Sequence, residues 1–252
     1  MKATFLVRVL KQLLDALSVL QQTNIEFRTS GIYVQNMDAA HVLMINLEIP
    51  GESLIQYECT EPLVIGINLP TLTKIVHTGL NDDQVILSAQ SAHMLRLEFP
   101  HSVWELRCLD LDQETLAIPE RVPDASFHMN GEKVTRAIRD LSLAGDKVTF
   151  DVKGTKLRVY AGDSTSDPCE GVIELSESRD VESPPSIESF SSSFSLRLLQ
   201  STIPKATPLY PMITLDLFQD NPLRFSLRTE FGKKKAISLC IYISCLENFD
   251  KQ

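Results

Sequence analysis

The side chains that could do covalent or metal chemistry are dispersed along this chain. Its five histidines, His41, His77, His93, His101 and His128, include no HExxH and no pair at the H-x₃₋₅-H spacing that holds zinc. The five cysteines, Cys59, Cys108, Cys169, Cys240 and Cys245, form no CxxC pair. Their odd number and scatter, behind a start with no secretory signal, fit free thiols in a reducing compartment. A cysteine nucleophile needs an activating histidine beside it, and the sequence places none. GxSxG, GxxxxGK[ST] and GxGxxG are all absent. Asp110 and Asp112, with Asp38, could be imagined as carboxylates around a metal ion. In an aperiodic, charged stretch such a pair reads more simply as solvated connector charge. These residues support no enzyme, no metal site and no cofactor.

The elements around them alternate between two periods. Residues 9–20 are apolar at helical spacing (Val9, Leu10, Leu13, Leu14, Leu17, Leu20), with Arg8, Lys11, Asp15 and Ser18 on the other face. The same stretch, with Lys2, Arg8 and Lys11 among apolar residues, also has some features of a mitochondrial presequence, which Asp15 interrupts. Strand-like runs follow at 25–27, 31–34, 43–49, 57–59 and 63–67, then a short helix at 70–78 capped by Asn68 and stopped by Gly79, then strands at 85–89, 95–99 and 104–109. The second half repeats the series: a helix at 133–141, strands at 147–152 and 157–160, a helix at 196–203, and strands at 212–217, 223–228 and 237–243. "LLDALSVLQQTNIEFRTSGIYV" resembles "AIRDLSLAGDKVTFDVKGTKLRV", so the chain reads as two copies of one β-rich module with two helices each. The expected fold class is α+β. Module boundaries fall at residues 1–107 and 125–252, joined by a connector at 108–124, "CLDLDQETLAIPERVPD". Residues 178–189, rich in Ser, Glu and Pro, read as a flexible surface excursion.

A net charge of −9 argues, taken alone, against nucleic acid. The distribution answers that objection. The helix segments carry Arg8, Lys11, Lys74, Lys133, Arg136, Arg139, Arg197 and Lys205 against Asp15, Glu132 and Asp140, a net +5 that leaves −14 on the rest. Arg136 and Arg139, like Lys74 and His77, lie three apart and so share a face. Gathered on one concave surface, these helices would attract a phosphate backbone without reading its sequence. Solvated helix faces with a chance basic excess are the plainer alternative. No apolar run reaches the length of about 18 residues that a membrane helix needs.

Several stretches, in order and nearly end to end, resemble the proliferating cell nuclear antigen (PCNA) family of eukaryotic sliding clamps: "GIYVQNMDAAHVLMINLEI", "LVIGINLPTLTKIV", "LDLDQETLAIPE", "RAIRDLSLAGDKVTF" and "KATPL". The resemblance implies the DNA clamp fold, with three subunits closing head to tail into a ring, sheets outside and helices around the hole. It implies a non-catalytic processivity factor of DNA replication and repair in the nucleus, encircling double-stranded DNA as a homotrimer without cofactors. Polymerase, clamp loader and other PIP-box proteins are the implied partners. A subunit of a heterotrimeric checkpoint-type clamp, or a specialised paralogue, is the alternative.

By that resemblance, Lys11, Lys74, His77, Arg136, Arg139, Arg197 and Lys205 would face DNA. Met37, His41, Val42, Met44, Leu116, Ile118, Pro119, Pro222 and Tyr242 would form the partner groove. Trp104, Leu106, Leu141, Ile173 and Leu175, on or near segments 104–109 and 171–175, would meet the neighbouring subunit. Lys153 would match a lysine modified during damage tolerance. Lys233, Lys234 and Lys235 sit in an apparent insertion, as a hairpin tip or a weak nuclear-targeting segment. Ser18 stands where the family often has Lys, Pro123 where it often has an aromatic, and Ser244-Cys245 where Ala-Pro is expected.

Overall fold

The computed structural model describes residues 1–112, 116, 121–162, 169–175, 181–183, 189–219, 222–229 and 236–246. Ile118, Pro119 and Lys233 to Lys235 lie outside the described residues. The first half of the chain runs β1 (Lys2–Leu6), α1 (Val7–Ala16), β2 (Gln22–Arg28), β3 (Gly31–Met37), β4 (Leu43–Pro50), β5 (Gln56–Glu58), β6 (Leu63–Asn68), α2 (Leu69–His77), β7 (Gln84–Ser88), β8 (Met94–Phe99) and β9 (Ser102–Arg107). The second half runs β10 (Ala125–Asn130), α3 (Gly131–Leu141), β11 (Lys147–Lys153), β12 (Lys156–Ala161), β13 (Gly171–Glu174), β14 (Val181–Ser183), β15 (Ser189–Ser195), α4 (Leu196–Ala206), β16 (Met212–Leu217), β17 (Leu223–Thr229) and β18 (Ile237–Ile243).

The strand orders carry the duplication. The first half holds the runs β5-β1-β7-β8-β9 and β6-β2-β3-β4; the second holds β14-β10-β16-β17-β18 and β15-β11-β12-β13. Adding nine to each strand number of the first half reproduces the second. The fold is therefore α+β, built from two similar β-rich modules with two helices each. By compactness the chain divides into one unit of Met1–Met37, Ile45–Ala117 and Arg228–Leu239, and another of Asp38–Met44, Ile118–Leu227 and Cys240–Gln252.

Within each module the helices lay an apolar stripe on their own sheets. Leu10, Leu13 and Leu14 of α1 and Leu72 and Val76 of α2 are buried; so are Val134, Ala137, Ile138 and Leu141 of α3 and Leu199 and Ile203 of α4. Strand side chains alternate, as in β18, where Ile237, Leu239, Ile241 and Ile243 are buried and the residues between them are not. Burying a side chain of this size stabilises the fold by about 1.5–3 kcal/mol.

Where the structure departs from expectation, the reason is local. The apolar start hides a strand, β1, which passes into α1 with no turn residue. The first N–H groups of α1 have no capping side chain. They are satisfied instead by the loop before β7: Val7 N donates to Asp83 O at 2.9 Å and Arg8 N to Asn81 O at 3.2 Å. Helix α4 runs past Pro204 to Ala206, forgoing the one backbone bond that the proline cannot donate. Asn68 does cap α2, accepting from Thr71 N at 2.9 Å. Part of the expected loop at 178–189 is strand β14, which pairs with β10.

Candidate DNA-facing and partner-binding surfaces

The polar faces of the helices carry the cations. In the first unit α1 packs beside α2, and in the second α3 packs beside α4. Lys74, His77, Arg136, Arg139, Arg197 and Lys205 are all exposed, each opposite its helix's buried stripe. Among the described residues Lys74, Arg139 and Arg197 have no ion-pair partner, while Arg136 Nε lies 3.8 Å from Asp140 and His77 Nε2 3.7 Å from Asp15. At this exposure such pairs contribute little, so most of the cationic charge stays available to solvent or a polyanion.

Lys11 differs. Its Nζ donates to Gly79 O at 2.8 Å and to Asn81 Oδ1 at 3.1 Å. It ties α1 to the loop after α2 and is already occupied in the free chain. Ser18 Oγ turns back to Asp15 O and offers no charge to the helix surface.

The segment after β3 is a tight turn organised by Asp38. Its Oδ1 accepts from Val42 N at 2.8 Å and Leu43 N at 2.7 Å, and its backbone N donates to Leu43 O at 2.8 Å. His41 takes φ +57° at the turn's apex, a left-handed conformation tolerated where side-chain hydrogen bonds hold the loop. Asp38 is thus a turn former rather than a metal ligand. Val42 O in turn accepts from Ser244 N at 2.9 Å, which brings the turn beside the end of β18 in the same unit. His41 is exposed, and Val42, Met44, Pro222 and Tyr242 are half-buried. Burial raises the Tyr242 phenol pKa, opposed by the adjacent Arg224. In the other unit the Gln35 side chain clips the connector: its Nε2 donates to Leu116 O at 3.0 Å and its Oε1 accepts from Leu116 N at 2.6 Å. Leu116 remains exposed, and Met37, two residues on from Gln35, is half-buried.

Comparison with known proteins decides which family this arrangement belongs to. The family profile "Proliferating cell nuclear antigen, N-terminal domain" matches residues 3–115. The chain is 30% identical over 240 residues to the proliferating cell nuclear antigen of Dictyostelium discoideum, covering 88% of this chain and 90% of that protein. It is 30% identical over 229 residues to that of Chaetomium thermophilum, covering 85% and 87%. The chain belongs to the proliferating cell nuclear antigen family. Its function is that of a DNA sliding clamp, in a family of non-catalytic processivity factors of DNA replication and repair.

Two of the strands that end a sheet among the described residues complete the description of this family member. Strand β9 ends one sheet and β13 another. On β9, Val103 is 52% and Trp104 42% exposed; on β13, Val172 is 66% exposed and Ile173 half-buried. Leu106, Leu141 and Leu175, expected at a subunit contact, are instead buried within their own unit. In-strand alternation turns Leu106 to the opposite face from Val103, and Leu141 lies on the buried stripe of α3. Sequence reasoning singled out neither Val103 nor Val172, nor Leu143, which is 80% exposed just beyond α3.

Lys153 ends β11 with its side chain 69% exposed and 3.5 Å from Asp151. Asp110 and Asp112 are exposed, and among the described residues no group of three or more His, Cys, Asp or Glu side chains is placed to hold a metal ion.

Proposed function

We propose that three copies of this chain close head to tail into a ring around double-stranded DNA, each presenting β9 to the β13 of its neighbour. The observation that carries this reading is the pair of sheet edges, unpaired among the described residues, that expose apolar side chains. An open strand edge offers unsatisfied N–H and C=O groups together with an apolar strip, and proteins normally cover or blunt it. A head-to-tail contact between unlike edges closes into a ring when the rotation permits. The cationic helix faces then supply a sequence-independent attraction for the phosphate backbone, with Lys74, His77, Arg136, Arg139, Arg197 and Lys205 as the DNA-facing groups. Lys11 acts mainly as a brace.

Polymerase, clamp loader and other PIP-box proteins dock through short segments with aliphatic and aromatic anchors. The residues assigned to them by the family resemblance are Met37 and Leu116 in one unit and His41, Val42, Met44, Pro222 and Tyr242 in the other, with Ile118 and Pro119, which lie outside the described residues. Exposed Leu116, clipped by Gln35, and the half-buried apolar residues around the Val42 turn suit this mode of recognition. The protein acts in the nucleus, without catalysis of its own, and Lys153 is open to modification. Native mass measurement tests the assembly: the expected species is three times 28.2 kDa. A monomer at micromolar concentration that associates only with other clamp chains would replace the homotrimer with the heterotrimeric alternative.

A further inference from the structure

On one face of its sheet, the second module carries a row of polar residues that its family-level function does not require. Strand pairing aligns Ser126 of β10 with Asp216 of β16, and Asp216 with Arg224 of β17. The Asp216 residue is only 4% exposed, yet its carboxylate is surrounded by donors. Ser126 Oγ donates to Oδ1 at 2.7 Å, Arg224 Nε to Oδ2 at 2.8 Å, and Ser226 Oγ to Oδ2 at 3.4 Å. The Arg224 guanidinium also lies over the Phe218 ring, 5.1 Å from its centroid. Strand β18 is next in order, and Cys240 Sγ lies 3.9 Å from Ser226 Oγ, which brings Tyr242 level with Arg224. The row therefore reads Ser126, Asp216, Arg224, Tyr242.

We propose that Asp216 and Arg224 form a positioning pair that fixes the Tyr242 side chain as a rigid part of the partner-binding surface beside the Val42 turn in the same unit, and so sharpens which anchor that surface accepts. This rests on the reading of Tyr242 as a groove residue. A buried ion pair seldom stabilises a fold more than well-packed apolar side chains of the same volume would, and a positional role is its better attested use. Three fixed points determine the guanidinium plane: the Asp216 oxygen, the Phe218 face and the strand it grows from. A planar fork held in this way can orient a neighbouring hydroxyl, as a flexible ammonium cannot. The Tyr242 phenol is influenced by the pair, since the nearby Arg224 charge opposes the upward push that burial gives its pKa. A tyrosine already ordered in the free protein loses less freedom when a ligand packs on it, a difference of about 3- to 10-fold in affinity for one immobilised side chain.

The test compares wild type, Tyr242→Ala, Arg224→Lys and the double variant Asp216→Ser with Arg224→Met, which leaves no buried carboxylate alone. A fluorescent peptide with adjacent aliphatic and aromatic anchors reports affinity, thermal unfolding reports the fold, and ultraviolet difference titration against Tyr242→Phe reports the phenol. The expected result is a loss of about 3- to 10-fold in affinity for the double variant at unchanged unfolding midpoint. Its Tyr242 should also titrate higher than in wild type. Arg224→Lys should lose affinity in the same range, and it decides the matter if the double variant fails to fold. Wild-type affinity and an unmoved phenol titration in the folded variants would overturn the positioning role alone. A wild-type protein that ignores the peptide, or binds it equally well as Tyr242→Ala, would overturn the groove reading and the pair's role with it.

Discussion

Replacing Trp104 with alanine removes the largest side chain on the exposed edge of β9. Tryptophan presents roughly 250 Å² of surface, and 42% of this one is open, so about 100 Å² is available for a neighbour to cover. At ~25 cal/mol per Å² its burial contributes up to about 2.5 kcal/mol per interface, equivalent to about 60-fold in the dissociation constant. The free protomer should hardly notice, since an exposed residue away from caps and core changes stability by about 0.5 kcal/mol or less. Sedimentation equilibrium over a dilution series separates the two effects, because assembly shifts to higher concentration while the unfolding midpoint stays put. Trp104 is also the sole tryptophan, so its emission should move to the blue as wild-type protein assembles. If emission ignores dilution while the protein dissociates, and Trp104→Ala assembles like wild type, Trp104 does not face a neighbour and the edge-to-edge contact must be abandoned.

Charge reversal at Lys74 and Arg139 together should impair processive synthesis by a loaded polymerase while leaving the native mass unchanged; normal processivity would remove these helix faces from the DNA path. Asn68→Ala deletes the cap that accepts from Thr71 and should cost about 1 kcal/mol, lowering the unfolding midpoint by about 2–4 °C in a chain of this size. Gln35→Leu breaks both hydrogen bonds to Leu116, so hydrogen exchange at the Leu116 amide should accelerate several-fold or more, measured against unchanged exchange in β2. Burial raises the Cys108 thiol pKa, which lowers its thiolate fraction at pH 8.5 relative to a free cysteine. Alkylation of Cys108 should therefore lag behind that of exposed Cys169, as peptide mapping over time would record.

Much of this architecture was legible because local patterns agreed with the fold. Asn68 marked the start of α2, and the helix stripes and strand alternations of both halves lie within a few residues of their expected places. The helical cations were readable for the same reason: a residue opposite a buried stripe points to solvent whatever the stripe packs on. Strands β1, β10, β14 and β15 escaped detection, and in β1 and β15 the missing signals are a turn residue at the end of the strand and a clear alternation. β1 merges into an apolar helix, and "SFSSSFS" of β15 carries two buried phenylalanines among serines.

The sequence by itself determined the duplicated α+β plan and the cationic helices on an acidic chain, because each depends on residue type at a fixed local period, and its ordered motifs carried the resemblance to a clamp family. Tertiary structure alone decided which side chains remain available. It buried Leu106, Leu141 and Leu175 while leaving Val103, Trp104 and Val172 open, and it engaged Lys11 with Gly79 O across 68 positions of chain. It also joined Asp216 to Arg224. Those outcomes depend on strand register and on which strand ends a sheet, and both are set by contacts between residues far apart in the chain, where a local period carries no information.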